Sequence, residues 1–232
     1  FLVYINDLPE GLNNVVKLFA DDTKIFREVA NTQDTENLQK DLDLLQTWSD
    51  QWQIKFNAAK CKCIHLGKNN PEHSYHMKDG TNNINIESVN SEKDIGVTFD
   101  KDLKFDIHIQ QKVKKANQML GMIKNTCTCL DKEIFLPLYI SLVRPHLEYA
   151  TVVWKPYLKK DILAIENVQR RASRLVTGLK EFSYQERLRQ LGLPTLAYRR
   201  DRADMLQLFK ILHKYEEVQM DNLEIDSRSI TR

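Results

Sequence analysis

At about residue 100 the apolar residues of this 232-residue chain change their period. Before that point they come in short runs with strand-like alternation, interrupted by one helical stripe. After it they recur every three or four residues almost to the end. Side chains alternate faces along a strand and return every 3.6 residues along a helix, so the change of period limits the chain to a mixed first part and an all-helical second part. Fold class α+β follows.

In the first part, residues 1–8 (FLVYINDL) are apolar and stop at Pro9 and Gly11. Val15–Ala20 is rich in β-formers and Thr23–Val29 alternates apolar and polar residues, which predicts a β-hairpin whose two-residue turn is Asp21–Asp22. Over residues 34–52, Leu38, Leu42, Leu45, Trp48 and Trp52 make one apolar stripe, so a helix is expected with Asp34 capping its start and the stripe in the core. Ile54–Phe56, Lys62–Leu66 and Ile95–Phe99 read as short strands, with Gly67–Asn90 between them as loop and weak hairpin. In the second part, Ile109, Val113, Ala116, Leu120 and Ile123 keep helical spacing from Asp106 onward. A second helix is expected over Asp131–Ala150, kinked or shortened by Pro137 and Pro145, with Leu138, Leu142 and Leu147 as core. A third is expected over Lys160–Val176 with Gly178 as its cap, then Tyr184–Leu191, then Pro194–Tyr215. The last 15 residues are polar and expected to fray.

Charge follows the same division. Residues 1–100 carry 10 Lys and Arg against 16 Asp and Glu, a net of −6, and residues 101–180 carry 15 against 7, a net of +8. An acidic part beside a basic part admits a metal-binding half next to a polyanion-binding half, or two solvated surfaces of opposite sign. The balance of 42% hydrophobic and 28% charged residues is that of a globular chain. No stretch reaches the roughly 18 apolar residues that span a bilayer, so no membrane partner is expected. The chain starts at Phe1 without a charged and apolar leader, so we expect no targeting segment and a cut N-terminus. Cys61 and Cys63, and Cys127 and Cys129, are each spaced one residue apart, closer than structural zinc pairs. Free thiols in a reducing compartment are the expectation, with Cys61, Cys63 and His65 sharing a face if their segment is a strand.

Nucleotidyl transfer uses two divalent ions about 4 Å apart held by hard oxygen ligands, and paired carboxylates at a rigid hairpin tip are one way to present them. Adjacent aspartates alone are frequent by chance. Here they stand within Phe19–Phe26, FADDTKIF, which resembles the catalytic hairpin of reverse transcriptases. Tyr4–Pro9 (YINDLP) is similar to the segment that follows the family's nucleotide-contacting helix. Lys55–Gly67 looks like motif D with its Asn57 and Lys60. Glu92–Ile109 resembles the primer-grip region. Leu138–Pro156 and Ile165–Gly178 resemble the thumb and post-thumb of the jockey and CR1-like group of non-LTR retrotransposons. Six blocks in order, from residue 1 to about 217, are more specific than any one of them.

The resemblance implies a partial polymerase palm, an antiparallel sheet with a packed helix, over residues 1–105. It implies an all-α thumb over 106–180, a helical extension over 181–217 and a tail over 218–232. It implies that Asp21 is the principal metal ligand, Asp22 its neighbour and Mg²⁺ the ion. Lys60 becomes a general acid toward pyrophosphate; by itself it reads equally as a solvated cation. An RNA template, a DNA primer and deoxynucleoside triphosphates are the implied partners. Lys112, Lys114 and Lys115, with Arg170, Arg171 and Arg174, are the implied contacts to the RNA–DNA hybrid, against the plainer reading of surface charge. The family's third carboxylate and its fingers would precede Phe1, so this fragment is expected to be inactive alone. A nuclear and cytoplasmic location follows by analogy. The alternative is a non-catalytic nucleic-acid-binding or domesticated interaction protein derived from such an enzyme.

Overall fold

The computed structural model describes residues 5–80, 82–127, 129–216 and 218. Tyr4 and the polar tail beyond Val218 lie outside the described residues. The described residues combine helices with small sheets, mostly antiparallel, and fall into two compact units, 1–104 and 105–232. No described helix is long and apolar enough to cross a membrane.

The first unit is organised by helix α1, Thr32–Trp52. Its cap is Asn31, not Asp34: the Asn31 side chain accepts the Asp34 N–H, and the Asp34 carboxylate accepts from Ala30 and Asn31. This reciprocal arrangement satisfies donors that an α-helix leaves unpaired at its start. Leu45 is buried, Leu38, Leu42 and Trp48 are half-buried, and Trp52 is exposed, so the stripe enters the core only in its middle. The buried face also carries Thr35, Asp41 and Ser49. Residues 5–12 lie along this helix, with Ile5 and Leu8 buried and Trp48 Nε1 donating to Asp7 at 3.3 Å.

Strands β1 (Val15–Phe19) and β2 (Asp22–Phe26) form an antiparallel hairpin. Ile54–Phe56 is not a strand. The helix closes there instead, with Gln53 left-handed, Ile54 N–H donating to Ser49 O and Ser49 Oγ donating to Ile54 O, which occupies groups a ladder would need. Strand β3 is only Lys62–Cys63, paired parallel to β6, Glu87–Ser88. The stretch between contains a hairpin, β4 (His76–Asp79) with β5 (Asn82–Asn85), pinned to α1 by Gln39, which donates to His76 O and accepts its N–H. Strands β7 (Ser91–Asp94) and β8 (Val97–Asp100) make a third hairpin.

The second unit begins with α2, Asp106–Thr126, which buries Ile109, Ala116, Leu120 and Ile123. The segment that follows is three pieces: α3 (Lys132–Leu138), a π-helical turn (Tyr139–Val143) and α4 (Arg144–Glu148). Pro145 cannot donate a backbone N–H, and the wide turn before it absorbs the mismatch. That turn also shifts which face is buried. Phe135, Tyr139, Val143 and Leu147 form the core, while Leu138 is half-buried and Leu142 exposed, because a π turn takes more residues per revolution than the α-helical spacing assumes. Then come α5 (Thr151–Trp154), α6 (Lys159–Ser173), α7 (Tyr184–Leu191) and α8 (Leu196–Leu212). Helix α6 ends at Ser173, ahead of Gly178, and α8 starts after Thr195, whose hydroxyl accepts the Tyr198 N–H; Pro194 precedes the cap.

Helix α7 is joined to α6 and α8 through a polar network in the core. Tyr139 Oη donates to Gln169 Oε1 at 2.7 Å, and Gln169 Nε2 donates to Tyr184 Oη and Pro194 O at 3.0 Å each. Glu166 accepts from the Tyr184 hydroxyl and from the Leu196 and Ala197 N–H groups at the start of α8. Within this network the buried polar atoms are paired among themselves.

His108 has no exposed surface and lies 4.9 Å from the Trp154 ring. Burial, and secondarily the charge of Lys112, push its imidazole down to about 4. The unfolded chain therefore takes up a proton near pH 6.5 that the folded chain refuses until about pH 4. Stability from the neutral ring is complete above pH 6.5 and is lost as the pH falls through this window. The second unit is expected to lose roughly 2 kcal/mol between pH 7 and pH 4.5. Thermal melts of wild type and His108→Gln across that range check it; equal pH dependence in both would remove His108 as the cause.

Candidate functional site

The β1–β2 register pairs Val15 with Phe26, Val16 with Ile25, Lys17 with Lys24, Leu18 with Thr23 and Phe19 with Asp22. The two-residue turn is therefore Ala20–Asp21, not Asp21–Asp22; Asp22 opens the second strand. The observed register sets apolar residues opposite one another at two positions. A turn at Asp21–Asp22 would have set Val16 against Arg27 and Phe19 against Lys24. Its cost is the like-charged Lys17–Lys24 pair, which Asp94 offsets by meeting Lys24 at 2.5 Å. Opposed residues share a face, so Asp22 projects on the side of Phe19, Val15 and Phe26, all of which are exposed. Asp21 and Asp22 are both exposed.

Ala20 holds φ 54°, while Asp21 does not have positive φ, the pattern of a turn that favours glycine at its first central position. An alanine there carries left-handed strain of about 1 kcal/mol. Ala20→Gly is expected to stabilise the hairpin by about 0.5 kcal/mol net of glycine's larger entropy loss, as read from the denaturation midpoint.

The root of the hairpin is fixed to α1 by groups that the apolar pattern does not mark. Asp41, fully buried, accepts the backbone N–H groups of Asn13 and Asn14 at 2.9 and 2.7 Å and the side-chain amide of Asn14 at 2.7 Å. Arg27, just past β2, donates to Asn14 Oδ1 at 2.9 Å and to Asp34 Oδ1 at 3.0 and 2.7 Å. The hydrogen bond from Arg27 is the main reason the Asp34 carboxyl is held below its usual range. An acid one helical turn from Leu38 and Leu45, inside the apolar stripe, was the available signal, and it goes unread when only apolar residues are traced.

Two adjacent exposed carboxylates supply hard oxygens, which suit Mg²⁺ in kind. They are too few to hold an ion pair, and among the described residues no group of three or more Asp, Glu, His or Cys is placed to bind a metal. Lys60 ends a short 3₁₀ turn, Ala58–Lys60, with its side chain exposed; neither a hydrogen bond nor an ion pair joins it to Asp21 or Asp22. Cys63 Sγ lies 3.7 Å from His65 Nε2, and burial pushes the Cys61 and Cys63 thiols up, toward the protonated form and away from the thiolate a metal needs.

The six basic residues of the second unit occupy different settings. On α2, Lys112 lies 5.9 Å over the Tyr149 ring, and Lys112 and Lys115 are close enough to His146 to lower its imidazole further after burial has done so. Lys114 is exposed. Arg171 reaches back to α2, donating to Asn117 Oδ1 at 3.3 and 2.9 Å. Arg170 stacks 4.7 Å from the Tyr184 ring, and Arg174 is exposed one turn further along. The Arg187 and Tyr184 side chains that complete this last group were not singled out by charge counting.

The acidic hairpin and helical unit have relatives of one class, RNA-directed DNA polymerases of non-LTR retrotransposons. The chain is 23% identical over 195 residues, 78% of its length, to the probable RNA-directed DNA polymerase from transposon X-element of Drosophila melanogaster. It is 24% identical, over an alignment that takes in the whole chain, to the RNA-directed DNA polymerase from mobile element jockey of the same species. A similar relation, 24% over 76% of the chain, holds with the probable RNA-directed DNA polymerase from transposon BS of D. melanogaster. The chain spans 21% to 25% of the length of these relatives. No family model matches the chain, and no solved structure matches it.

Proposed function

We propose that this chain is the segment of a retrotransposon reverse transcriptase that carries the acidic palm hairpin and the helical thumb, and that it is inactive when separated from the rest of the enzyme. The observation that carries the reading is the F-A-D-D hairpin with Asp21 in the turn and Asp22 on the adjoining strand, within a chain whose relatives are RNA-directed DNA polymerases. In the longer enzyme Asp21 and Asp22 are part of the ligand set for Mg²⁺, completed by a carboxylate from elsewhere, and the bound ions would activate the primer hydroxyl and steady the leaving pyrophosphate. Lys60 neutralises charge near the triphosphate or returns a proton to the leaving group. The basic helices hold the template–primer hybrid by its phosphates, which gives affinity without sequence information. The protein would reside inside the cell, in the nucleus and cytoplasm.

The exposed face of the hairpin supports the reading that more chain packs here in the parent. A two-stranded ribbon with Val15, Phe19 and Phe26 bare to solvent is marginal, and sheets of this kind are stabilised by further strands or a covering helix. The test is primer extension on an RNA template. The longer polymerase containing this segment is expected to extend, whereas the 232-residue chain and the Asp21→Asn form of the longer enzyme are expected not to. Extension by the Asp21→Asn enzyme at the parental rate would overturn the metal role, and extension by the short chain would overturn its dependence on the remainder.

A further inference from the structure

We propose that Lys24 and Asp94 form a positioning pair: their ion pair sets the tilt of the β1–β2 hairpin and, through it, the place of Asp21 and Asp22. The inference rests on the reading of those two aspartates as metal ligands of a longer polymerase. No residue of β1 or β2 is buried, so close packing does not lock the acidic turn in place. Polar ties hold the hairpin instead. At its root, Asp41 accepts from Asn13 and Asn14, and Arg27 reaches Asn14 and Asp34. At the middle of β2, Lys24 Nζ meets Asp94 Oδ1 at 2.5 Å.

Both ends of this second tie are well defined. Side chains alternate along a strand, so Lys24 lies on the face of Asp22, about 7 Å from it along β2. Lys17 stands opposite Lys24 on the same face. Two cations on one rung repel, and Asp94 supplies the opposing charge. Asp94 is the last residue of β7, and a two-residue turn, Ile95–Gly96, returns the chain to Val97. Ile95 holds φ 41° and Gly96 φ 80°. A β-branched residue in the left-handed region is strained, and such strain persists where a particular backbone shape is held for use. Here that shape presents the Asp94 carboxylate to β2.

A hairpin tied at one end pivots. Its strands are five residues each, about 17 Å, so about 4° of tilt at the root moves the turn by about 1 Å. Misplacing a reacting group by about 1 Å costs on the order of 10²-fold in rate. The Lys24–Asp94 tie resists that tilt. Its side chains are 32% and 34% exposed, and ion pairs so exposed contribute little to stability. The pair therefore serves the placement of the turn more than the folding of the unit.

The experiment has two arms. Primer extension on an RNA template is measured for the longer polymerase carrying Lys24→Met, Asp94→Asn, both together, or Lys24→Arg. Amide hydrogen exchange is measured for the same changes in the 232-residue chain. Lys24→Met and Asp94→Asn are each expected to lower kcat at least about tenfold with KM for the nucleotide nearly unchanged. The double change is expected to cost no more than either single one, because all three break the same contact. Lys24→Arg keeps the ion pair and is expected to keep most of the rate. In the 232-residue chain the two single changes are expected to speed exchange of the β1–β2 amides while α1 keeps its protection. Unchanged kcat in Asp94→Asn, with extension lost in Asp21→Asn, overturns the proposal and leaves the polymerase reading standing. A loss with Lys24→Met alone, or with Asp94→Asn alone, also overturns it, since the residue would then act directly rather than through the pair. Unchanged exchange of the hairpin amides overturns the tie itself. Failure of the unsubstituted longer enzyme to extend overturns both readings.

Discussion

Replacing Asp41 with alanine is expected to lower the melting temperature of the first unit by more than about 10 °C, the largest stability effect of any single change in that unit. The carboxylate has no exposed surface and accepts from two backbone N–H groups and the amide of Asn14, with the Asn13 amide at a longer 3.3 Å. Alanine removes the acceptor and leaves those donors in a site closed to water. Hydrogen bonds to a charged group contribute about 1.5–3 kcal/mol each, and stranding their buried donors adds a desolvation penalty, so a loss of about 3–4 kcal/mol is expected after partial relaxation. Asp41→Asn is not a mild control. Its amide nitrogen would have to face donors on one side of the site, so it too is expected to destabilise, by about 2 kcal/mol. The hairpin should suffer first, because Asn13 and Asn14 lead directly into β1 and Asn14 also receives Arg27 from the end of β2. Denaturation followed by far-ultraviolet circular dichroism reads the loss. A melting temperature within a degree or two of wild type would mean that Asp41 does not hold the hairpin to α1.

Asp21→Asn carries the largest expected effect on activity and almost none on stability. The side chain is exposed in the turn and forms no hydrogen bond or ion pair among the described residues, so exchanging an oxygen for an amide is expected to leave stability unchanged. On the reading proposed above, in which Asp21 is a metal ligand of a longer polymerase, the same exchange there removes a negative charge where a cation is held. Removing one well-placed electrostatic group from an active site costs about 10²–10³ in rate, and a ligand shared by two ions belongs at the upper end, so primer extension is expected to fall by on the order of 10³-fold, about 4 kcal/mol of barrier. Asp22→Asn is expected to cost less, since Asp22 has left the turn and points to the side of Phe19. Measuring extension and melting temperature on the same preparations separates the two effects. A variant that melts like wild type and extends like wild type would show that the turn carries no ligand.

How far the sequence reached can be seen from particular residues. The existence and type of the long elements were legible. Helix α1, helix α2, Tyr184–Leu191 and the acidic hairpin all appear where apolar spacing puts them, because spacing is a local property that tertiary packing seldom reverses over several turns. The errors lie where a local rule met a longer-range constraint. The hairpin turn moved by one residue because cross-strand apolar matching and the Lys24–Asp94 pair outweigh the turn preference of two aspartates. Leu142 came out of the core because a π turn ahead of Pro145 rotated the face.

By itself, the order and spacing of residues determined the α+β division, most helices and the acidic hairpin in a chain related to retrotransposon polymerases, since each of these depends on neighbours within a few turns. Only the tertiary structure decided that Asp41 and Arg27 anchor that hairpin, and that Arg187 and Arg170 meet over the Tyr184 ring. Those contacts join residues 13 with 41 and 170 with 187, and the energy of a buried charge depends on what surrounds it in space, which local spacing does not encode.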